Sequence, residues 1–372
     1  MKRRMFSLLM MAAAVFGCVQ VRADALTVAD VKVYTTVRKT GQYPDRFVVM
    51  PGNGWDREAL ESLSETDFRL DGKASKWGDD SLHDFSCGFE SVTIDENGLT
   101  LVPDQFPEKY FYVKEWTITC KTNDGLTVSS SQVSDTFTDV ADSFETVEDE
   151  EHHFSYHLYT PEGEGALPVV VVFHGYGDTH NLLTYRTAVE WAEPENQQVH
   201  PCYVIAPVIE DQAYILATGR DLIFAGVKEK IDALIAEGKV DPNRIYVMGN
   251  SFGGMSSIEF AEKYPEETAA VLALCPAVGY SAGAIRNLEK ITDVPIWFAH
   301  AVHDQTIPEA DSEKCLKLLT DAGSTVAQLR AYTDEEMNAA GADPSPDSTY
   351  SYHHVELAVM EDDTYMEWLF SH

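Results

Sequence analysis

The residues Arg244-Ile-Tyr-Val-Met-Gly-Asn-Ser-Phe-Gly-Gly254 run from a β-branched apolar stretch directly into Gly-x-Ser-x-Gly, and a helical pattern follows from Met255 to Tyr264. A serine on such a strand-to-helix turn is pressed into a strained, exposed position, with its hydroxyl above the sheet and backbone N–H groups close by. Ser251 is therefore the candidate nucleophile. A serine hydroxyl attacks poorly until a base takes its proton, so an imidazole oriented by a carboxylate is required. In a parallel α/β sheet these partners lie past the carboxyl ends of later strands, in the order Ser, Asp, His.

Val294-Pro-Ile-Trp-Phe-Ala-His300 has the pattern of a buried strand, and the loop after it carries Asp304, the candidate orienting carboxylate. The base is sought in Ser351-Tyr-His-His-Val-Glu356, which lies between an irregular stretch and a final helical segment. His353 and His354 are adjacent and point in different directions, so one of them takes the role. His354 is preferred because apolar Val355 and Leu357 follow it, and His353 is the alternative. His300 and His303 come too early and are read as structural or rim residues, and His372 as a solvated end. Donors for a developing oxyanion are expected from the backbone N–H of Phe252, after the nucleophile, and of Tyr176 in His174-Gly-Tyr-Gly177. His174 itself is read as a brace for that loop.

The elements needed to hold these groups are legible from residue 153 onward. Strand candidates are Phe154–Tyr159, Val169–Phe173, Cys202–Ala206, Arg244–Met248, Ala270–Leu274, Pro295–Ala299 and Val326–Tyr332. Helix candidates between them are Asn181–Ala192, Arg220–Ala236, Phe252–Tyr264, Glu309–Asp321 and Thr364–Phe370. Strands alternating with helices predict a mostly parallel sheet with helices on both faces. The stretch 333–352 is too long for an ordinary connection and reads as a functional or disordered loop. Pocket walls are expected from 181–192, 208–219 and 333–352.

Residues 24–145 have another texture. Short alternating runs such as Arg46–Met50 and Tyr110–Thr119 are separated by Gly52-Asn-Gly54, Glu96-Asn-Gly98 and Asn123-Asp-Gly125, which predicts a small all-β sandwich. Acidic Glu145–Glu151 reads as a hinge to the α/β domain, 153–372.

Residues 1–23 read as a signal peptide: Lys2, Arg3 and Arg4, then an apolar run, then Val21-Arg-Ala23. A rival reading makes Val15-Phe-Gly-Cys18 a lipobox with a lipid anchor at Cys18. Either way the expected location is secreted, periplasmic or at the cell surface. The formal charge is −34, and removal of the signal, which holds four of the 27 basic and none of the 61 acidic residues, deepens it to about −38. Such a charge argues against nucleic acid as a partner. No later apolar run is long enough to span a membrane. The five remaining cysteines, Cys87, Cys120, Cys202, Cys275 and Cys315, have no zinc spacing, although a Cys87–Cys120 pair is one option. No metal or organic cofactor is expected, and oligomeric state is not legible.

His174-Gly-Tyr-Gly177, the block Val240 to Gly254 and His300-x-x-x-Asp304-x-x-Ile-Pro308 together resemble the α/β-hydrolase superfamily. More narrowly, they are similar to secreted esterases of the polyhydroxybutyrate-depolymerase, feruloyl and acetyl xylan type, and to related peptidases. The likeness covers roughly residues 153–370. The N-terminal segment resembles the immunoglobulin-like domain preceding the hydrolase in some bacterial esterases. The resemblance implies cleavage of a carbohydrate-linked, aryl or short-acyl ester. One departure concerns the base: such esterases often carry Trp three residues after the catalytic His, where this chain has Leu357 after His354, or Glu356 after His353. A prolyl-oligopeptidase-like peptidase is the alternative activity, and a non-catalytic binding protein on the same scaffold is the alternative from another class.

Overall fold

A computed structural model describes residues 27–372, except 39–40, 53–56, 77–78, 96–97, 105–111, 123–125, 164, 180–181, 185, 282, 346–349 and 362–363. The predicted export signal, Cys18 and most residues of the three predicted Asn-Gly and Asp-Gly turns lie outside the described residues.

The C-terminal unit is built on an eight-stranded sheet. Its strands are β1 (Glu145–Asp149), β2 (Phe154–Tyr159), β3 (Leu167–Phe173), β4 (Tyr203–Val208), β5 (Val240–Asn250), β6 (Thr268–Leu274), β7 (Ile296–Ala301) and β8 (Ala327–Tyr332). They lie in the order β1-β2-β4-β3-β5-β6-β7-β8; β2 pairs antiparallel with both of its neighbours, β1 and β4, and every other pairing is parallel. Both faces are covered, so the inner strands are apolar at every position rather than at alternate ones. Val169, Val171 and Phe173 of β3 pack with Phe224, Val227 and Ile231 of helix α1 (Ala217–Ala236). Val170 and Val172 point the other way, into a core that includes Met248, Leu272 and Leu369. Helices α2 (Phe252–Lys263), α3 (Ala310–Asp321) and α4 (Thr364–Phe370) complete the layers, within one residue of the bounds the sequence predicts.

Glu145–Asp149 is not a free hinge. It is edge strand β1, paired along its length with β2. Its charges fit an edge that has water on one side, which is how five acidic-rich residues can be a strand. The predicted long loop contains a helix, Asp334–Ala339, opened by a capping box in which Thr333 and Glu336 satisfy each other's backbone amides. The helix predicted over 181–192 is only a short turn, Arg186–Val189, followed by a 3₁₀ turn.

The N-terminal unit has two sheets around one core of Val31, Phe47, Leu70, Leu101, Trp116, Ile118 and their neighbours. The first runs in the order Phe89–Asp95, Gly98–Pro103, Gly41–Pro51, Val28–Arg38, Val133–Thr138, and the second Asp79–Cys87, Phe68–Lys76, Tyr112–Cys120, Thr127–Ser129. All pairings are antiparallel except Val28–Arg38 with Val133–Thr138. Cys87 and Cys120 are free thiols. They flank the strand Phe68–Lys76, opposite Leu70 and Phe68 respectively, so two strand spacings of about 4.8 Å part them, beyond disulfide reach. Val37 and Ala141 pack on Val189 of the other unit.

Candidate active site

Ser251 sits at the carboxyl end of β5 with φ 56° and ψ −117°, a backbone conformation that non-glycine residues rarely hold. Three backbone hydrogen bonds keep it there: its N–H donates to Leu274 O (2.9 Å), and its carbonyl accepts from Met255 (3.1 Å) and Ala277 (3.0 Å). The turn is possible because Gly253 and Gly254, the second and third residues after the serine, have no side chains. A Cβ on Gly253 would meet the carbonyl oxygen of Phe173 at 2.0 Å, and one on Gly254 that of Leu274 at 2.6 Å. The spacing of the Gly-x-Ser-x-Gly-Gly run is thus a packing requirement, letting α2 start against β3 and β6.

Asp304 occupies the turn after β7, and its side chain is fully buried. One carboxylate oxygen accepts from the amides of Thr306 (2.7 Å) and Ile307 (3.0 Å). The other accepts from His353 Nδ1 at 2.7 Å. His300, also fully buried, donates through Nε2 to Ile307 O at 3.0 Å, so its Nδ1 must accept from Ser312. That Nε2 also stands 3.4 Å from Asp304, which makes His300 a brace of the aspartate turn, the structural rather than the rim role of the two read from the sequence. Burial works against charge on Asp304, yet the hydrogen bonds of His300, His353 and the Ile307 amide hold its carboxyl well below the usual range.

The preference for His354 over His353 is corrected here. His354 Nδ1 is engaged by Glu356 at 2.9 Å, whereas His353 is the histidine bound to Asp304. With Nδ1 donating to a carboxylate, the lone pair of His353 lies on Nε2, the tautomer a general base needs. His353 is carried on a loop held from two sides. The Cys275 thiol donates to its carbonyl (3.3 Å), and the Tyr352 amide donates to Gln305, next to Asp304 (3.0 Å). Cys275 Sγ, an Asp304 oxygen and a His353 nitrogen lie within 4.8 Å of one another. This is poor ground for a metal centre, because complete burial pushes the Cys275 thiol well above its ordinary pKa and its proton is in use.

His174 does brace the oxyanion loop. Its Nε2 accepts from the Ile209 amide (2.9 Å), its Nδ1 donates to Gly175 O (2.7 Å), and its carbonyl accepts from the Tyr214 hydroxyl (2.6 Å). The Tyr176 ring lies 5.4 Å from that of Phe252, so the two residues expected to supply oxyanion donors are neighbours. Phe252 opens α2, where N–H groups have no partner within the helix.

These groups converge on one cavity of about 560 Å³, lined by Tyr176, Ser251, Phe252 and His353 among others. Its walls are mostly apolar: Ile215, Met255, Tyr280 and Ile307. Of the three wall segments expected, 208–219 contributes Ile215 and 333–352 contributes Ser351, while none of the described residues of 181–192 reaches it. Tyr280 and Ser281, from the turn after β6, were not anticipated. Nor was Arg220, which is 1% exposed, pairs with Glu259 and donates to Tyr214 O and Ser281. No described residue before Glu145 lines this cavity. His303 is on the surface, bonded to Asp334.

Residues 209–339 match the phospholipase/carboxylesterase family model. A solved structure described as a thermostable esterase superposes with a TM-score of 0.69 over 92% of this chain and 99% of its own, at 23% identity. The C-terminal unit has the α/β-hydrolase fold. The superposition extends over the N-terminal β unit as well, so the two-unit architecture is shared. The chain is also 30% identical over 142 residues to the quorum-quenching protein AidA of Acinetobacter baumannii (strain MDR-ZJ06). That alignment covers 36% of this chain and 43% of the relative's length. Among the described residues no helix is long and apolar enough to cross a membrane.

Proposed function

We propose that this hydrolase cleaves carboxylic esters through Ser251, His353 and Asp304. The hydroxyl of Ser251 attacks the acyl carbon as His353 Nε2 takes its proton. Asp304 holds the imidazole in that tautomer and balances the imidazolium that forms. The N–H groups of Phe252 and Tyr176 receive the oxyanion, a donor of this kind contributing about 3 kcal/mol in the transition state. His353 then gives the proton to the departing alcohol, and a water repeats the sequence on the acyl-enzyme. No step calls for a metal or organic cofactor. The single observation carrying this reading is the 2.7 Å contact between His353 and buried Asp304, on the same cavity as a serine in a strained turn.

The cavity's size and aromatic lining favour an aryl or medium-length acyl ester over acetate alone, including one linked to a carbohydrate. The amino-terminal 23 residues support export, with cleavage before Asp24 or lipidation at Cys18, and the unit boundary is placed between Phe144 and Glu145. A panel of nitrophenyl esters of increasing acyl length, feruloyl and acetylated sugar esters and chromogenic dipeptides, run beside Ser251→Ala, tests the reading. Ester turnover should fall about 10⁴-fold in the variant. Dipeptide cleavage without ester cleavage, or a variant with near-native turnover, would overturn it.

A further inference from the structure

Resting on the assignment of the base to His353, we propose that His354 is a positioning residue, locked with Asp178 and Glu356 into a buried charged junction that clamps the oxyanion loop onto the base loop and the nucleophile strand. The three residues line one small cavity together with Asn250, which precedes the nucleophile, and His174, the brace of the oxyanion loop. Asp178 points inward beneath that loop: a Cβ added to Gly175 would stand 2.8 Å from its carboxylate and 3.4 Å from the Asn250 amide nitrogen. Its own amide donates to Gly175 O at 3.3 Å. On the other side, Glu356 is 6% exposed and binds His354 at 2.9 Å, with its second oxygen buried and without a hydrogen-bond partner. A carboxylate so placed is costly unless a cation faces it.

His354 is that cation. The groups facing it are Asp178 from the oxyanion loop, Asp304 from the β7 turn, Glu356, neighbouring His353 (ring centroids 6.3 Å) and the Tyr350 ring edge-on at 5.3 Å, with His174 across the cavity. Burial alone would lower its pKa, but Glu356 and then the two aspartates raise it above the ordinary histidine value. The lock is therefore closed while His354 is protonated and loosens as pH rises through that raised value.

The far side of the oxyanion loop is tied by Gly177 to Asp211 (3.0 Å) and by Thr179 to Ile209 O (2.9 Å), which leaves the junction to fix the near side. A displaced donor or base costs rate rather than binding.

The test compares His354→Gln, the shape-conserving Asp178→Asn and His353→Ala in the full chain. Readouts are kcat, KM and the kcat/KM pH profile on one nitrophenyl ester, with melting temperatures alongside. Both junction variants should lose about 10- to 100-fold in kcat, with KM changed less than about threefold. The acid limb should move in opposite directions. Loss of the imidazolium beside His353 favours protonation and shifts it to higher pH, and loss of the Asp178 charge shifts it lower. Native kcat with an unmoved limb, or lower melting temperatures alone, would refute the lock while leaving His353 as the base. His354→Gln falling to the level of Ser251→Ala, with His353→Ala still active, would instead make His354 the base and overturn the underlying assignment.

Discussion

Ser251 stores strain that its hydroxyl alone does not explain, since φ 56° with ψ −117° is as unfavourable for alanine as for serine. Replacing the hydroxyl and relieving the backbone are therefore separable. Ser251→Ala removes the nucleophile and keeps the strain. Ser251→Gly removes both, gaining about 1–3 kcal/mol of relief against a glycine entropy cost of about 0.5–1 kcal/mol. The glycine variant is expected to be as inactive as the alanine variant and to melt about 2–4 °C higher. A glycine variant that melts lower in calorimetry, by the glycine entropy cost alone, would mean the turn is unstrained. At this scale the sequence was informative where chemistry and backbone coincide, as at Ser251, and poor where two like residues compete. His353 and His354 differ only in which way one loop turns, and the contacts that hold the loop with His353 toward Asp304 come from Cys275 and Gln305, 78 and 47 residues away from the residues they hold.

The elements were legible wherever an apolar run had to be buried on both faces. Strand β2 has the predicted bounds, and β3, β6 and β7 were placed within two residues of either end, because a Val-rich stretch in a covered parallel sheet has no alternative environment. Edges and short pieces were not. Strand β1 carries three acidic residues in five, and its pairing partner rather than its composition makes it a strand. Four strands of the N-terminal unit between Phe68 and Pro103 went unseen for a related reason: Gly72, Lys73 and Asp84 sit in them, and Gly88 separates two of them. Inside 333–352 the Thr333–Glu336 capping box was a readable start signal, overshadowed by Gly341 and Pro344 further on. The junction residues Asp178, His354 and Glu356 come from a loop and from the entry to the short helix Glu356–Val359, whose approach no local pattern encodes.

The whole molecule carries a formal charge of −34, and Glu193 and Glu262 are among the carboxyls partly or wholly withdrawn from water at that disadvantage. Burial, with the charge of Glu190, pushes Glu193 up to about 7, and burial also brings Glu262 to about 7 despite its bonds from Asn287. Both hold protons in the folded state that the unfolded chain releases near 4.5, so their contribution is complete below that pH and is lost as pH rises through 7. Melting temperature should thus decline by a few °C (about 3–6 °C) between pH 5 and 8, and Glu262→Gln should flatten the decline. A rising curve in the native protein would contradict the burial of these groups. The arrangement of the two units makes a further statement. Among the described residues the N-terminal unit packs on the C-terminal one at Val37, Ala141 and Val189 and contributes nothing to the lining of the cavity at Ser251, so the expectation is that it stabilises without shaping specificity. Where the chain is cut decides the outcome. A chain beginning at Val140 keeps Phe144, packed 5.5 Å from Tyr159, and the whole of β1. It should fold, melt somewhat lower and hydrolyse acetate and bulky aryl esters in the native ratio. A chain beginning at Glu150 exposes the edge of β2 and should be markedly less stable or aggregate. Measuring both ester rates and the melting point for the two chains decides the matter. A changed ester ratio in the longer chain would show that residues before Val140 reach the substrate after all.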